Sequence, residues 1–187
     1  MKKNYFVGID VSKQTLDVAF IEVHNAERSQ PSWKVFDNNE KGLSSMKTWL
    51  QNNQVGLDGK TLFVIENTGL YHRRLMDFCN KHQLQLCIEN GAQVKWSLGI
   101  ARGKSDKVDS RRLATYALRF ADRLKPATAL QEGIQAIKDL ITLRNRHIVQ
   151  LSSLRTHLKE LKATTDGKAV KDLQKLHDPL MKAMKAA

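Results

Sequence analysis

The stretch that decides the fold class is residues 5–23, YFVGIDVSKQTLDVAFIEV. Its first part, YFVGIDVS, is a short apolar run typical of a buried strand, and it leads to an acid, Asp10. Its second part, TLDVAFIEV, alternates well enough between apolar and polar residues to predict another strand. Only SKQ separates the two parts. The spacing therefore favours a hairpin that leaves Asp10 at the end of the first strand.

The segments that follow alternate between strand and helix patterns. SWKVFDNN is typical of a third short strand, and NEKGLSSMKTWLQNN places its large apolar residues on one helical face. Two further apolar runs, KTLFVIENTG and LQLCIEN, enclose the helical pattern of GLYHRRLMDFCNKH. The order β-β-β-α-β-α-β predicts an α/β fold with a mixed five-stranded sheet and flanking helices.

The second half of the chain has a helical pattern. One helix is predicted from residue 105 to about 123, followed by a long periodic segment at 131–162 and a final amphipathic piece at 168–185. Arg144 and Arg155 interrupt the apolar seam of the long segment, so it is coiled-coil-like rather than an ideal coiled coil. We predict two domains, residues 1–124 and a basic helical extension at 125–187.

Composition and charge narrow the class of partner. The chain has 187 residues, a formal net charge of +12 and 41% hydrophobic residues, which is enough for a core. A strong positive charge favours nucleic acids, because Lys and Arg that contact phosphates release condensed counterions. Cys79 and Cys87 form no metal-binding pair and are expected to be buried thiols of a reduced, cytoplasmic protein. No apolar run is long enough to predict a membrane span.

Four acids form the candidate site. Asp10 and Glu66 each end a predicted strand, and Asp106 and Asp109 open a predicted helix three residues apart, on one face. If the first and fourth strands are adjacent and parallel, these acids converge, and their repulsion would require hard divalent cations. Simple helix capping is the alternative for Glu66, Asp106 and Asp109. Capping explains Asp10 less well, because a carboxylate in an apolar run is costly unless it is paired or binds metal.

Three segments together resemble a known family. GIDVSK (8–13), ENTGLYH (66–72) and KSDKVDSRRLA (104–114) look like the signature blocks of the DEDD transposases, the insertion-sequence-110 group with the related Piv invertases. QVKWSLGIARG (93–103) is similar to the segment that precedes the last block in that family. The chain departs from the family pattern at Ser110, where Ala is usual, and at Gly91 and Ala92, where a pair containing proline is commoner.

The resemblance implies a RuvC-like fold of the RNase H type, in which Asp10, Glu66, Asp106 and Asp109 are catalytic and bind Mg²⁺, with Mn²⁺ as a substitute. It also implies DNA strand cleavage and exchange for a mobile element, guided by a structured RNA. Family members carry a further C-terminal domain with a serine nucleophile. We expect that domain to be absent from this chain, and expect the chain alone to be incomplete for full recombination.

Basic residues near the acids are candidates for contacts with nucleic acid. They share a position beside one of the signature blocks, and they are Lys13, Arg73, Arg74, Arg102, Lys104, Lys107, Arg111 and Arg112. The helical extension is expected to bind RNA or to form a homodimer or larger assembly. Two alternatives remain open at this point. One is a non-catalytic module for nucleic-acid binding and dimerisation, and the other is an actin-like ATPase or sugar kinase, against which the lack of a second glycine in DVSKQT argues.

Overall fold

We describe the protein from a computed structural model, which defines residues 3–24, 27–99, 106–128, 132–165 and 167–186. The strands are β1 (Tyr5–Val11), β2 (Thr15–His24), β3 (Glu27–Arg28), β4 (Ser32–Asp37), β5 (Thr61–Glu66) and β6 (Gln85–Glu89). The helices are α1 (Glu40–Asn52), α2 (Arg73–Lys81), α3 (Gly91–Ser97), α4 (Asp106–Arg119), α5 (Glu132–Thr164) and α6 (Lys168–Ala186).

The described strands form one mixed sheet around β1. β1 pairs with β2 in antiparallel fashion and with β5 in parallel fashion, and β6 continues the parallel side beyond β5. β4 and the short β3 both pair with β2. The predicted mixed sheet with flanking helices and a long helical extension is therefore confirmed. Over the described residues the sheet has six strands rather than the predicted five. The additional strand is β3, whose two residues are too few to give a recognisable sequence pattern.

The two faces of the sheet pack against different helices. Val7 and Ile9 of β1 lie in a core that includes residues of α1 and α2, and we name this side the α1 face. Phe6, which directly precedes Val7, lies on the opposite side of the sheet in a second core with Leu113 and Tyr116 of α4. We name that side the α4 face. Because successive strand residues point to opposite faces, Gly8 and Asp10 belong to the α4 face.

Helix α4 lies directly on β1. A Cβ built on Gly8 would fall 2.6 Å from the backbone carbon of Leu113, and closer still to the backbone of Ser110 and Ala114. The missing side chain is therefore what allows the helix to approach the strand. Later in the helix, Leu118 packs near Ile21, the residue paired with Phe6. Helix α4 thus runs opposite to β1, and its first turn lies at the end of the strand where Asp10 is found.

The chain divides into two compact units, Met1–Ala129 and Leu130–Ala187. In the second unit α5 and α6 pack on each other through buried apolar residues, which include Leu151, Leu158 and Val170. The assignment of separate domains to residues 1–124 and 125–187 stays a prediction. Among the described helices, none is long and apolar enough to cross a bilayer.

Both cysteines are free and buried, as the composition predicts. Burial raises the pKa of Cys79 to about 12 and that of Cys87 to about 11, and Glu89 contributes to the shift at Cys87. Because the thiolate is the reactive form, neither thiol is poised for nucleophilic chemistry at neutral pH.

Candidate active site

Four neighbouring strands each place a carboxylate on the α4 face at the same level. Asp10 pairs with Asp17 across β1 and β2, and Glu66 pairs with Glu89 across β5 and β6. Ile9 pairs with Ile65, so the next residues along these parallel strands, Asp10 and Glu66, are neighbours. Adjacent strands lie about 4.8 Å apart. We name this line of carboxylates the acid row: Asp17, Asp10, Glu66 and Glu89.

The inner pair of the acid row consists of two residues that the sequence singles out. Asp10 and Glu66 lie on adjacent parallel strands and on one face, as the convergence of strand ends predicts. Glu66 is exposed, and it does not cap the following helix, since α2 begins only at Arg73 and has no side-chain cap bond at His72. The capping interpretation of Glu66 is therefore wrong for α2.

Glu66 is held against the start of α3. A Cβ built on Gly91 would fall 2.9 Å from Oε2 of Glu66 and would overlap its other carboxylate atoms. Asn90 caps the same helix by accepting a hydrogen bond from the Ala92 N–H at 2.9 Å. The carboxylate of Glu66 thus occupies the space that any other residue at position 91 would fill with its own side chain.

Replacing Gly91 by Ala should therefore move Glu66 without unfolding the protein. The displaced atoms are the far end of a flexible side chain rather than backbone, so we expect the melting temperature to change by less than about 3 °C. If Glu66 is a metal ligand, the affinity for Mn²⁺, measured by electron paramagnetic resonance, should fall about tenfold, because metal sites require their ligands to within a few tenths of an ångström. Unchanged Mn²⁺ affinity would show that Glu66 needs no fixed position.

The other two predicted acids lie in the first turn of α4. The helix begins at Asp106, one turn before Ser110, whose carbonyl lies next to Gly8. Asp109 is half-buried in the same turn, while the side chain of Asp106 lies outside the described part of the chain. The backbone of α4 thus brings this turn to the carboxyl end of β1. First-turn acids also suit the helix dipole, so the capping alternative stays open for these two residues.

The chemistry of these side chains fits hard cations. Carboxylate oxygens are the donors that Mg²⁺ prefers, and Asp10, Glu66 and Asp109 supply only such donors. Among the described side chains, which exclude that of Asp106, no three His, Cys, Asp or Glu residues lie close enough to hold one metal ion. The described geometry therefore provides the adjacent pair Asp10 and Glu66, with the first turn of α4 above them.

The outer members of the acid row are residues that sequence reasoning missed. Asp17 is 6% exposed and accepts a hydrogen bond from Trp33 Nε1 at 3.1 Å. Glu89 accepts one from the Tyr116 hydroxyl at 3.1 Å, and burial followed by the charge of Glu89 raises the pKa of Tyr116. Two signals were available in the sequence. Ile-Glu-Asn recurs at the ends of β5 and β6, and Asp17 interrupts an otherwise apolar part of β2.

The predicted basic residues have different surroundings. Lys13 is exposed in the turn after β1, near Asp10. Arg74 donates to the Asn38 carbonyl at 2.9 Å, and Arg112 donates to the Gly99 carbonyl at 2.9 Å, so both have a structural role within the protein. Arg111 is half-buried, and its Nε has no hydrogen-bond partner among the described residues.

The other predicted basic residues also differ in position. The ammonium of Lys107 lies over the Trp33 ring, 4.9 Å from its centroid. Arg73 is half-buried at the start of α2. Arg102 and Lys104 lie outside the described residues. The structure therefore brings Lys13 and Lys107 to the end of the sheet that carries the acids, and both are exposed there.

Asn38 holds the loops at this end of the sheet. It is 5% exposed, and its side-chain amide donates to the Ser12 carbonyl at 2.8 Å and to the Tyr71 carbonyl at 3.0 Å. The backbone carbonyl of Asn38 accepts the hydrogen bond from Arg74. One buried residue thus fixes the turn after β1 to the loop after β5, so the segments following Asp10 and Glu66 are held together.

Comparisons with known proteins show the family of this chain. A sequence model of the transposase family of DEDD type, insertion-sequence-110 group, matches residues 7–163. The pilin gene-inverting proteins of Moraxella bovis and Moraxella lacunata are each 32% identical over 167 residues, which is 86% of this chain and 48% of theirs. The chain thus spans about half the length of these relatives.

Solved structures with a similar fold include RuvC of Thermus thermophilus, alone and in complex with a Holliday junction substrate. Each has a TM-score of 0.48 at 12% identity, covering 66% of this chain and 99% of RuvC. An exopolyphosphatase from Cytophaga hutchinsonii has a TM-score of 0.32 at 9% identity, covering 48% of this chain and 35% of its own. The family match, by contrast, extends over most of the chain. The chain belongs to the DEDD transposase family.

Proposed function

We propose that this chain supplies the metal-binding part of a DNA transposase or recombinase, and that it takes part in DNA strand cleavage and exchange that depend on Mg²⁺. The observation that carries the proposal is the placement of Asp10 and Glu66 on adjacent parallel strands, beneath the first turn of α4. Family membership supplies the reaction class. Nucleases with paired carboxylate sites generally use divalent ions for phosphodiester chemistry.

Each part of the site has a role in this proposal. Asp10, Glu66, Asp106 and Asp109 are the proposed ligands of Mg²⁺ or Mn²⁺. Bound ions would supply activation of a nucleophile and stabilisation of the leaving oxygen. Lys13 and Lys107, exposed at the same end of the sheet, would contact the phosphates on either side of the scissile bond. Asn38 would keep the loops after Asp10 and Glu66 in register with each other.

The helical extension is proposed to form the assembly. Several large apolar side chains of α5 are more than half exposed in the described chain, among them Ile137, Leu140, Ile141, Leu143 and Val149. An exposed apolar patch of this kind is typical of protein interaction sites. A second copy of the chain is the proposed partner, and the basic residues of the same helices are proposed to contact a structured guide RNA.

The proposal is tested by titrating the purified chain with Mn²⁺ and following the free ion by electron paramagnetic resonance. Wild-type protein should bind Mn²⁺, and Glu66→Gln should weaken binding at least tenfold, because an amide lacks the charge that balances the ion. Asp122→Asn is the matched control, since the Asp122 side chain is 76% exposed and lies beyond the opposite end of α4. Equal Mn²⁺ affinity in wild type and Glu66→Gln would refute the metal site.

A further inference from the structure

Asp17 is a buried carboxylate beside another carboxylate. It is 6% exposed, lies on the α4 face, and is the direct cross-strand partner of Asp10. Burial of a charged group is costly unless hydrogen bonds compensate for the lost water. One compensating bond is the 3.1 Å hydrogen bond from Trp33 Nε1. A buried acid at this position needs an explanation that core packing does not give.

Trp33 connects Asp17 to α4. Its strand, β4, pairs with β2 so that Trp33 lies opposite Ala19, two residues from Asp17 on the same face. The edge of the indole donates to Asp17, while its ring face lies under the ammonium of Lys107 at 4.9 Å from the centroid. A cation over an indole is attracted to the negative face of the ring. The contacts therefore run from β2 through β4 to the first turn of α4.

That first turn is the part of α4 that carries Asp106 and Asp109. Further along the helix, α4 is fixed to the sheet by the close approach at Gly8 and by the bond from Tyr116 to Glu89. These contacts involve residue 110 and later positions, and they reach the first turn through the helix itself, including the hydrogen bond from Ser110 Oγ to the Lys107 carbonyl at 3.2 Å. Lys107 over Trp33 is a contact of that turn with the sheet.

We propose that Asp17 is a positioning residue for the metal site: its carboxylate fixes the Trp33 indole, and the indole fixes Lys107 and with it the first turn of α4 over Asp10. This inference rests on the proposed function of the acids. Asp17 acts here through Trp33 and not as a metal ligand. The positioning role therefore requires the oxygen of Asp17 that accepts the Trp33 hydrogen bond, and does not require the negative charge of Asp17.

Two substitutions at Asp17 separate these roles. Asp17→Asn keeps an acceptor oxygen for Trp33 and loses the charge, whereas Asp17→Leu loses both and fills the space with apolar atoms. We expect Asp17→Asn to bind Mn²⁺ within about threefold of wild type, and Asp17→Leu to bind it at least tenfold more weakly. The melting temperature of Asp17→Leu should change little, because the removal of a buried charge offsets the cost, about 1–3 kcal/mol, of leaving Trp33 Nε1 without its acceptor.

The Trp33→Phe background completes the test. Phenylalanine keeps a ring for Lys107 but has no N–H, so the contact with Asp17 is already broken. In this background Asp17→Leu should have no further effect on Mn²⁺ affinity, because both changes act through one contact. Additive effects of the two substitutions would overturn the proposal, and so would an Asp17→Asn variant that binds Mn²⁺ as weakly as Asp17→Leu.

A metal-free measurement distinguishes this proposal from the proposed function. The side-chain protons of Lys107 next to the Trp33 ring should show an upfield ring-current shift by nuclear magnetic resonance in wild type and Asp17→Asn, and lose it in Asp17→Leu. If wild type bound no Mn²⁺, the proposed function would fail, while the shift would still report whether Asp17 holds Trp33 and Lys107. A shift that persists in Asp17→Leu would overturn the positioning role.

Discussion

Replacing Gly8 by Ala should lower the free energy of unfolding of the first unit by about 3 kcal/mol or more. The added Cβ would overlap backbone atoms of Ser110, Leu113 and Ala114, none of which can rotate away as a side chain could. Helix α4 would have to move off the sheet by about 1 Å, the difference from an ordinary carbon contact. That movement opens the packing under Ser110 and Ala114, both of which are fully buried.

The same substitution should also abolish Mn²⁺ binding, since the first turn of α4 moves together with the helix. Urea unfolding followed by circular dichroism measures the first effect, and paramagnetic resonance measures the second. Gly133→Ala is the matched control. A Cβ at this exposed position in α5 meets nothing within 4 Å, so the change should stabilise its helix by about 0.5–1 kcal/mol. A Gly8→Ala protein that unfolds at the wild-type urea concentration would contradict the seating of α4 on β1.

The inner pair of the site could be predicted from the sequence because strand ends are local features. An apolar run that ends in an acid indicates both a buried strand and the residue at its end, and parallel pairing of two such strands brings Asp10 and Glu66 together. The prediction also required the first and fourth predicted strands to be adjacent and parallel, which the sequence left as a condition and the pairing of β1 with β5 satisfies.

The rest of the site depends on contacts between distant segments, which a sequence pattern does not encode. Nothing local says that Trp33 bonds Asp17 or that Tyr116 bonds Glu89. For the same reason the sequence did not indicate that the Arg74 guanidinium donates to the Asn38 backbone carbonyl, and its role as a phosphate ligand stays a prediction. Gly8 could have marked a bulge, a bend or a close approach, and only the position of α4 decides among them.

Replacing Asp10 by Asn should remove the stabilisation that Mn²⁺ would give to the folded protein by binding at the proposed metal site. A ligand that binds only the folded state stabilises it by about 2.7 kcal/mol at one hundred times its dissociation constant. Wild-type protein should therefore melt at a higher temperature in Mn²⁺ than in chelator, and Asp10→Asn should melt at the same temperature in both. Differential scanning calorimetry measures the four melting temperatures directly.

Without metal, we expect Asp10→Asn to change the stability of the protein in the opposite direction. Asp10 has Asp17 and Glu66 as neighbours on the adjacent strands, and like charges directly opposite each other destabilise a sheet. In chelator, Asp10→Asn should thus be at least as stable as wild type, by up to about 1 kcal/mol, while in Mn²⁺ it should be the less stable protein. The order of stability of wild type and Asp10→Asn is therefore reversed between chelator and Mn²⁺, because the substitution removes both a repulsive charge and a metal ligand.

Glu22→Gln is the control for that reversal. Glu22 lies on β2 opposite Tyr5, at the far end of the strand pair that carries Asp10, and it accepts a hydrogen bond from the Tyr5 hydroxyl at 3.2 Å. An amide oxygen keeps this bond, so Glu22→Gln should respond to Mn²⁺ as wild type does. If Asp10→Asn also kept the full Mn²⁺ response, the ion would have to bind elsewhere, and the acid row would be a structural feature alone.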